Sequence, residues 1–155
     1  MERKIFKDSI EITISNELKL FVRSIAASYQ FVFQQEQYDF VQRAMLIDLI
    51  DKNGVGMLAS RFAAASKGDK LELSKEELYL LYTMMELVCR SFLTDVGDDY
   101  KEIAMKVNKV TEEKYNEVRN LELKIAQTLI QQIRNDFMED PDFEEINDRI
   151  ELLDR

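Results

Sequence analysis

The stretch from Leu71 to Leu93, LELSKEELYLLYTMMELVCRSFL, constrains this chain more than any other. Ser74 stands three residues before Glu77, the spacing at which each side chain can answer an unpartnered N–H of the first helical turn. At about 100° per residue, Leu78, Leu81, Tyr82, Met85, Val88, Cys89, Phe92 and Leu93 share one arc, which Leu80, Met84 and Leu87 widen. Only Tyr79, Thr83, Glu86 and Arg90 are left as a polar strip, which is expected to face solvent. A helix that is apolar nearly all round needs neighbours on several sides, so this segment is predicted to be the centre of a bundle.

The remaining chain offers material for those neighbours. Its 155 residues are 46% hydrophobic, enough for one sizeable core, and a single helical domain over 1–155 is expected. One Pro and four Gly leave few helix breakers. The prediction is an all-α bundle of five to seven helices with two short β-strands, near residues 9–14 and 70–73.

In order along the chain, Ile10, Ile12 and Ile14 alternate with polar residues, the period of a half-buried strand. Ser15 or Asn16 then caps a helix with Leu18, Phe21, Val22, Ile25, Ala26, Tyr29 and Val32 on one face. A joint is expected near 34–37, followed by a second helix carrying Phe40, Val41, Ala44, Ile47 and Ile50. Asn53-Gly54-Val55-Gly56 is predicted to end it, with Gly supplying left-handed backbone angles. Met57 to Ala65 forms a short helix, and residues 67–70 turn into Leu71 and Leu73, which alternate as a strand. The extended, capped, then helical order at 12–18 echoes the order at 71–78 and would let the two strands pair. Such beginnings are common among helices, and a two-strand ribbon would need the bundle beneath it.

Beyond the central segment, 94–99 is expected to be a loop and Tyr100 to Asn108 a short helix with Ile103, Ala104 and Val107 inward. Thr111 caps the longest helix, about 112–138, roughly 40 Å at 1.5 Å per residue. Its apolar arc comprises Tyr115, Val118, Leu121, Ile125, Leu129 and Ile133, with Leu123, Ala126, Ile130 and Phe137 at one edge, and its end is expected to project or dimerise. Asp140-Pro141 is an N-cap and first-turn pair opening a last helix, with Phe143, Ile146, Ile150 and Leu153 at heptad-like spacing.

Charge is uneven. Of the net −9, residues 136–155 hold nine acids against Arg149 and Arg155, while residues 1–135 hold 21 acids and 19 bases. The body is nearly neutral and the C-terminal segment is acidic and amphipathic. A phosphate backbone would find no broad basic footprint, so nucleic acid is not expected as a partner.

Catalytic chemistry is scarce. There is no His, which removes His-activated nucleophiles and His-ligated metal centres. The single Cys89 lies on the core arc and cannot form an internal disulfide, so a reducing, cytoplasmic setting is expected. The N-terminal MERKIFKDSIEI lacks an apolar run, so neither a signal peptide nor a membrane span is expected. Asp51-Lys-Asn53-Gly54 places its Gly too early for a calcium loop, and Gly54-Val-Gly56 is only a fragment of a dinucleotide fingerprint. No metal or cofactor is expected.

Carboxylates are the remaining candidates. Glu122 falls within the apolar arc of the long helix, where desolvation could raise its pKa, yet Arg119 one turn earlier is the expected partner. Glu86 and Arg90 are spaced as an i,i+4 ion pair. Asp98 and Asp99 complete the set for an enzyme working through carboxylates alone. Residues 103–118 have the short-helix, turn, capped-helix form of a helix-turn-helix, with Lys101, Lys106, Lys109 and Lys114 nearby, but Glu112, Glu113 and Glu117 would meet phosphates at its recognition helix.

The leading expectation is a non-catalytic intracellular interaction or regulatory module, self-associating as a homodimer. Its interaction surface is expected on the C-terminal segment at Phe143, Ile146, Ile150, Leu153, Asp142 and Glu145, suited to a basic protein partner. The alternatives are an acidic decoy for a nucleic-acid-binding protein and a degenerate helix-turn-helix regulator.

Overall fold

A computed structural model describes residues 1–33, 52–91 and 95–152. The expected joint at 34–37, the helix carrying Phe40, Val41, Ala44, Ile47 and Ile50, and Phe92, Leu93 and Leu153 lie outside the described residues. So do the side chains of Tyr29, Val32, Val88, Arg90, Asp98 and Asp99.

The strands among the described residues are β1 (Arg3–Ile5), β2 (Ser9–Thr13) and β3 (Lys70–Ser74), an antiparallel sheet in the order β1-β2-β3. β2 and β3 pair with Ile10 opposite Leu73 and Ile12 opposite Leu71. Period-2 alternation therefore puts these residues on one side, and Ile10, Ile12, Ile14 and Leu73 are buried. The echo between the two strand-plus-helix segments thus corresponds to strands that do pair. β1 was not expected, because its three residues are too few for an alternation to register.

The helices among the described residues are α1 (Asn16–Phe33), α2 (Lys52–Ala64), α3 (Lys75–Ser91), α4 (Asp95–Asn108), α5 (Glu112–Phe137) and α6 (Pro141–Leu152). Ser15 caps α1 by accepting from the Leu18 N–H at 3.1 Å. At α3 the capping box is complete: Ser74 Oγ accepts from the Glu77 N–H, and Glu77 Oε1 from the Ser74 N–H, both at 3.1 Å. Thr111 caps α5 through the Lys114 N–H at 3.2 Å. Between α4 and α5 the chain turns through Lys109, whose φ of 52° is left-handed.

α3 is the hub, touching α1, α2, α4, α5, α6, β2 and β3. Leu78, Leu81, Tyr82, Met84, Met85 and Leu87 are buried, as the arc predicts. Its polar strip is not a solvent window: Tyr79, Thr83 and Glu86 are only 4%, 1% and 7% exposed. The end of α5 and all of α6 cover that side and bring polar partners with them, so burial costs less than it would for orphaned groups.

Three further expectations are revised. Gly54 and Gly56 lie inside α2 rather than ending a helix. A helical Gly costs about 1 kcal/mol, but α2 gains the burial of Val55, Leu58 and Phe62. The left-handed glycine is instead Gly68, φ 89°, in the turn before β3. α4 begins at Asp95, so 95–99 is helix rather than loop. Its inner face is Lys101, Ala104 and Met105, all half-buried, which turns Ile103 and Val107 outward instead of inward.

Candidate interaction site

The polar side of α3 is where three helices are fastened together. The chain leaves α5 at Phe137 and re-enters a helix at Asp140, whose N–H donates to the Phe137 carbonyl at 3.0 Å. Asp140 then caps α6: its Oδ1 accepts from the Asp142 N–H at 3.1 Å and its carbonyl from the Glu144 N–H at 3.0 Å. The other carboxylate oxygen accepts from the Tyr79 hydroxyl at 2.5 Å and from Lys75 Nζ at 3.0 Å, both on α3. One residue therefore starts α6 and ties it to the hub.

One turn further along α3, the Tyr82 hydroxyl donates to Asn147 Oδ1 on α6 at 2.6 Å and accepts from Arg134 Nε on α5 at 3.1 Å. Arg134 also donates to Glu86 at 2.7 Å. Aromatic contacts fill the space between. Phe143 packs edge-on to Tyr82 at 4.9 Å between centroids and tilted to Tyr79 at 5.5 Å, while Phe137 meets Tyr79 edge-on at 5.8 Å. Burial, aided by the neighbouring Asp140 carboxylate, pushes the Tyr79 hydroxyl well above its ordinary pKa. The Tyr79 hydroxyl and Lys75 in turn hold Asp140 below the usual carboxylate range. Such groups are matched to fastening, each already occupied by another side chain of the same chain.

The residues expected to form an interaction surface on the last helix divide in two. Phe143 and Ile150 are buried and Ile146 packs against the core, so the apolar side of α6 is turned to the chain's own interior and is not presented to a partner. Asp142 and Glu145 are exposed, together with Glu144, Asp148 and Glu151, so the outer side is acidic; Glu145 pairs with Arg149 at 2.9 Å.

Glu122 is half-buried and takes the expected partner: Arg119 donates to it at 2.9 Å, and Ser24 of α1 donates to the same oxygen at 3.0 Å. It joins α1 to α5. Glu86 pairs with Arg134 on another helix; the side chain of Arg90, its expected partner, lies outside the described part. Cys89 is half-buried against the core. Among the described residues no group of three or more His, Cys, Asp and Glu is placed to hold a metal ion. No helix among the described residues is long and apolar enough to cross a membrane.

A second surface was not anticipated. Ile103 and Val107 on α4, and Val118 and Leu121 on α5, are exposed, Val107 by 73% and Leu121 by 61%. α4 and α5 are consecutive and packed together, and this end of the pair presents apolar side chains to water. Lys101 of α4 bridges to Glu112 of α5 at 2.5 Å. Val118 and Leu121, expected on the inward arc of the long helix, are exposed instead: Arg119 and Glu122 take the inward positions there, tied to each other and to Ser24 of α1.

Between the β1–β2 turn and the α5–α6 corner lies an open cleft of about 350 Å³ lined by Ile5, Phe6, Lys75, Asp136, Met138 and Asp140. Two of its acids are paired, Arg3 holding Asp136 at 2.5 and 3.1 Å and Lys75 holding Asp140, and Glu139 adds a third at the rim.

The architecture defines a mostly helical bundle bearing a small three-stranded antiparallel sheet. Compared with protein families, with curated proteins and with solved structures, the chain matches none.

Proposed function

We propose that this chain is a non-catalytic interaction module of the cell interior, regulatory in role, that acts by seating another protein on its helical surface. The observation that carries this reading is the exposed apolar group on α4 and α5. Ile103, Val107, Val118 and Leu121 remain in water, whereas among the described residues α1, α2 and α3 bury Leu18, Phe21, Leu58, Phe62, Leu78 and Leu81. Exposed large apolar side chains gathered on two consecutive helices are the kind of surface that protein contacts use. The ionisable groups nearest the core support the same reading, since Glu86, Asp140 and Glu122 each bind side chains from neighbouring helices.

A second reading rests on α6. Five exposed acids on a helix held rigidly to the hub offer a surface for a basic partner, including the basic groove of a nucleic-acid-binding protein. DNA reading by α4 and α5 is disfavoured, because Glu112, Glu113 and Glu117 are all exposed at the start of α5.

The test is affinity purification from the native host with three baits. These are the wild type, Val107→Glu combined with Leu121→Glu, and a chain with Asp142, Glu144 and Glu145 changed to Gln. A stoichiometric partner lost only with the first variant supports the apolar surface. Loss only with the second moves the site to α6, and identical recovery with all three removes both surfaces.

A further inference from the structure

Resting on the interaction reading, we propose that the exposed flank of α5 pairs with the same flank of a second copy of this chain, the two helices antiparallel about a two-fold axis near Leu121. Val118, Leu121 and Ile125 fall at i, i+3 and i+7, the spacing of a helix–helix seam. Val118 and Leu121 are exposed, and Ile125 is half-buried where the seam runs back towards the core.

The charges beside the seam select both the occupant and its direction. Glu117 and Lys124 are exposed and seven residues apart, so they flank the seam on one side. A symmetric antiparallel pairing sets Leu121 against Leu121 of the second copy and Val118 beside Ile125. It brings Glu117 of each copy opposite Lys124 of the other, twice over, because a two-fold axis repeats every contact. A parallel pairing would not bring Glu117 opposite Lys124.

Net charge points to the same face. Each copy carries −9, most of it on residues 136–155, so two copies repel least away from that segment. Residues 17–23 and 112–128 carry five acids and five bases, so α1 and the first two-thirds of α5 form a balanced region. α1 is joined to α5 there by Ser24 and Glu122, and it adds Leu20, 67% exposed. The seam is short beside a standard interface of about 800 Å² per partner, so the pairing belongs in the micromolar range.

Sedimentation velocity over a micromolar concentration series is the test, with circular dichroism to confirm that each variant is folded. The wild type should show a monomer–dimer equilibrium, and Leu121→Glu should be monomeric. Glu117→Lys or Lys124→Glu alone each turns two attractive contacts into two repulsive ones and should weaken the dimer roughly thirty-fold. Mixing the two single variants makes both contacts attractive again, one with its charges exchanged and one as in the wild type, so the mixture should associate where neither variant does alone. A monomeric wild type, or a dimer indifferent to both reversals, overturns the pairing. Host-partner capture that disappears with Leu121→Glu beside a monomeric wild type would overturn the self-pairing while leaving the interaction reading intact.

Discussion

Asp140→Ala should loosen the C-terminal helix more than its position at a turn suggests. The substitution removes the N-cap of α6, worth about 1 kcal/mol. It also leaves the Tyr79 hydroxyl, on a residue only 4% exposed, without its acceptor at 2.5 Å, a further 1–2 kcal/mol or so. Lys75 is part-exposed, and its ion pair adds little. The expected loss is therefore about 2–3 kcal/mol, read as a shift in urea midpoint at unchanged slope. Asp140→Asn keeps an acceptor and a capping oxygen and should lose less than half as much. A double-mutant cycle with Tyr79→Phe isolates the bond between α3 and α6 and should give a coupling of about 1 kcal/mol. Hydrogen exchange should quicken first in α6. If Asp140→Ala unfolds within about 0.5 kcal/mol of wild type, or the cycle is additive, the account of Asp140 as the fastening point is wrong.

Gly56→Ala should stabilise the chain by about 0.5–1 kcal/mol, since Gly56 is exposed within α2 and a Cβ there meets nothing within 4 Å; a thermal melt checks it. Phe143→Ala should cost about 3 kcal/mol or more, because its ring packs against both Tyr79 and Tyr82; an equal Tm would place α6 away from the hub. Asp140 is depressed in the folded chain, so its contribution is present above the unfolded carboxylate value and is lost as pH falls through the folded one. The raised Tyr79 acts at the other end, its contribution intact below about pH 10 and lost at higher pH. A urea midpoint series should therefore fall on both sides, and Asp140→Asn together with Tyr79→Phe should flatten both limbs.

Helix positions and caps were legible because they depend on local chemistry. Ser74 with Glu77, Thr111, and Asp140 before Pro141 need only their own turn to act. What failed depended on neighbours distant in sequence. The polar strip of α3 read as solvent-facing because Asp140, Asn147 and Arg134, which satisfy it, lie far along the chain. Gly54 and Gly56 read as a stop because the burial of Val55, Leu58 and Phe62 that outweighs their helix penalty is tertiary. The apolar stripe of the C-terminal segment looked like a docking face, although a stripe bound for its own core has the same spacing as one bound for a partner. In α4 two faces competed, and the one carrying Lys101, Ala104 and Met105 took the interior, leaving Ile103 and Val107 to water.

The pairing of β2 with β3 also dictates an order of events during synthesis. Ile10 and Ile12 leave the ribosome early, whereas Leu73 follows only after α1, α2 and the intervening residues have been made. Until then the first hairpin has a bare oily side and nothing to zip against, and a two-strand ribbon does not hold by itself. Closing so wide a loop is slow compared with winding a helix. Nascent chains stalled before Lys70 should therefore be the form most prone to clump or to recruit a chaperone.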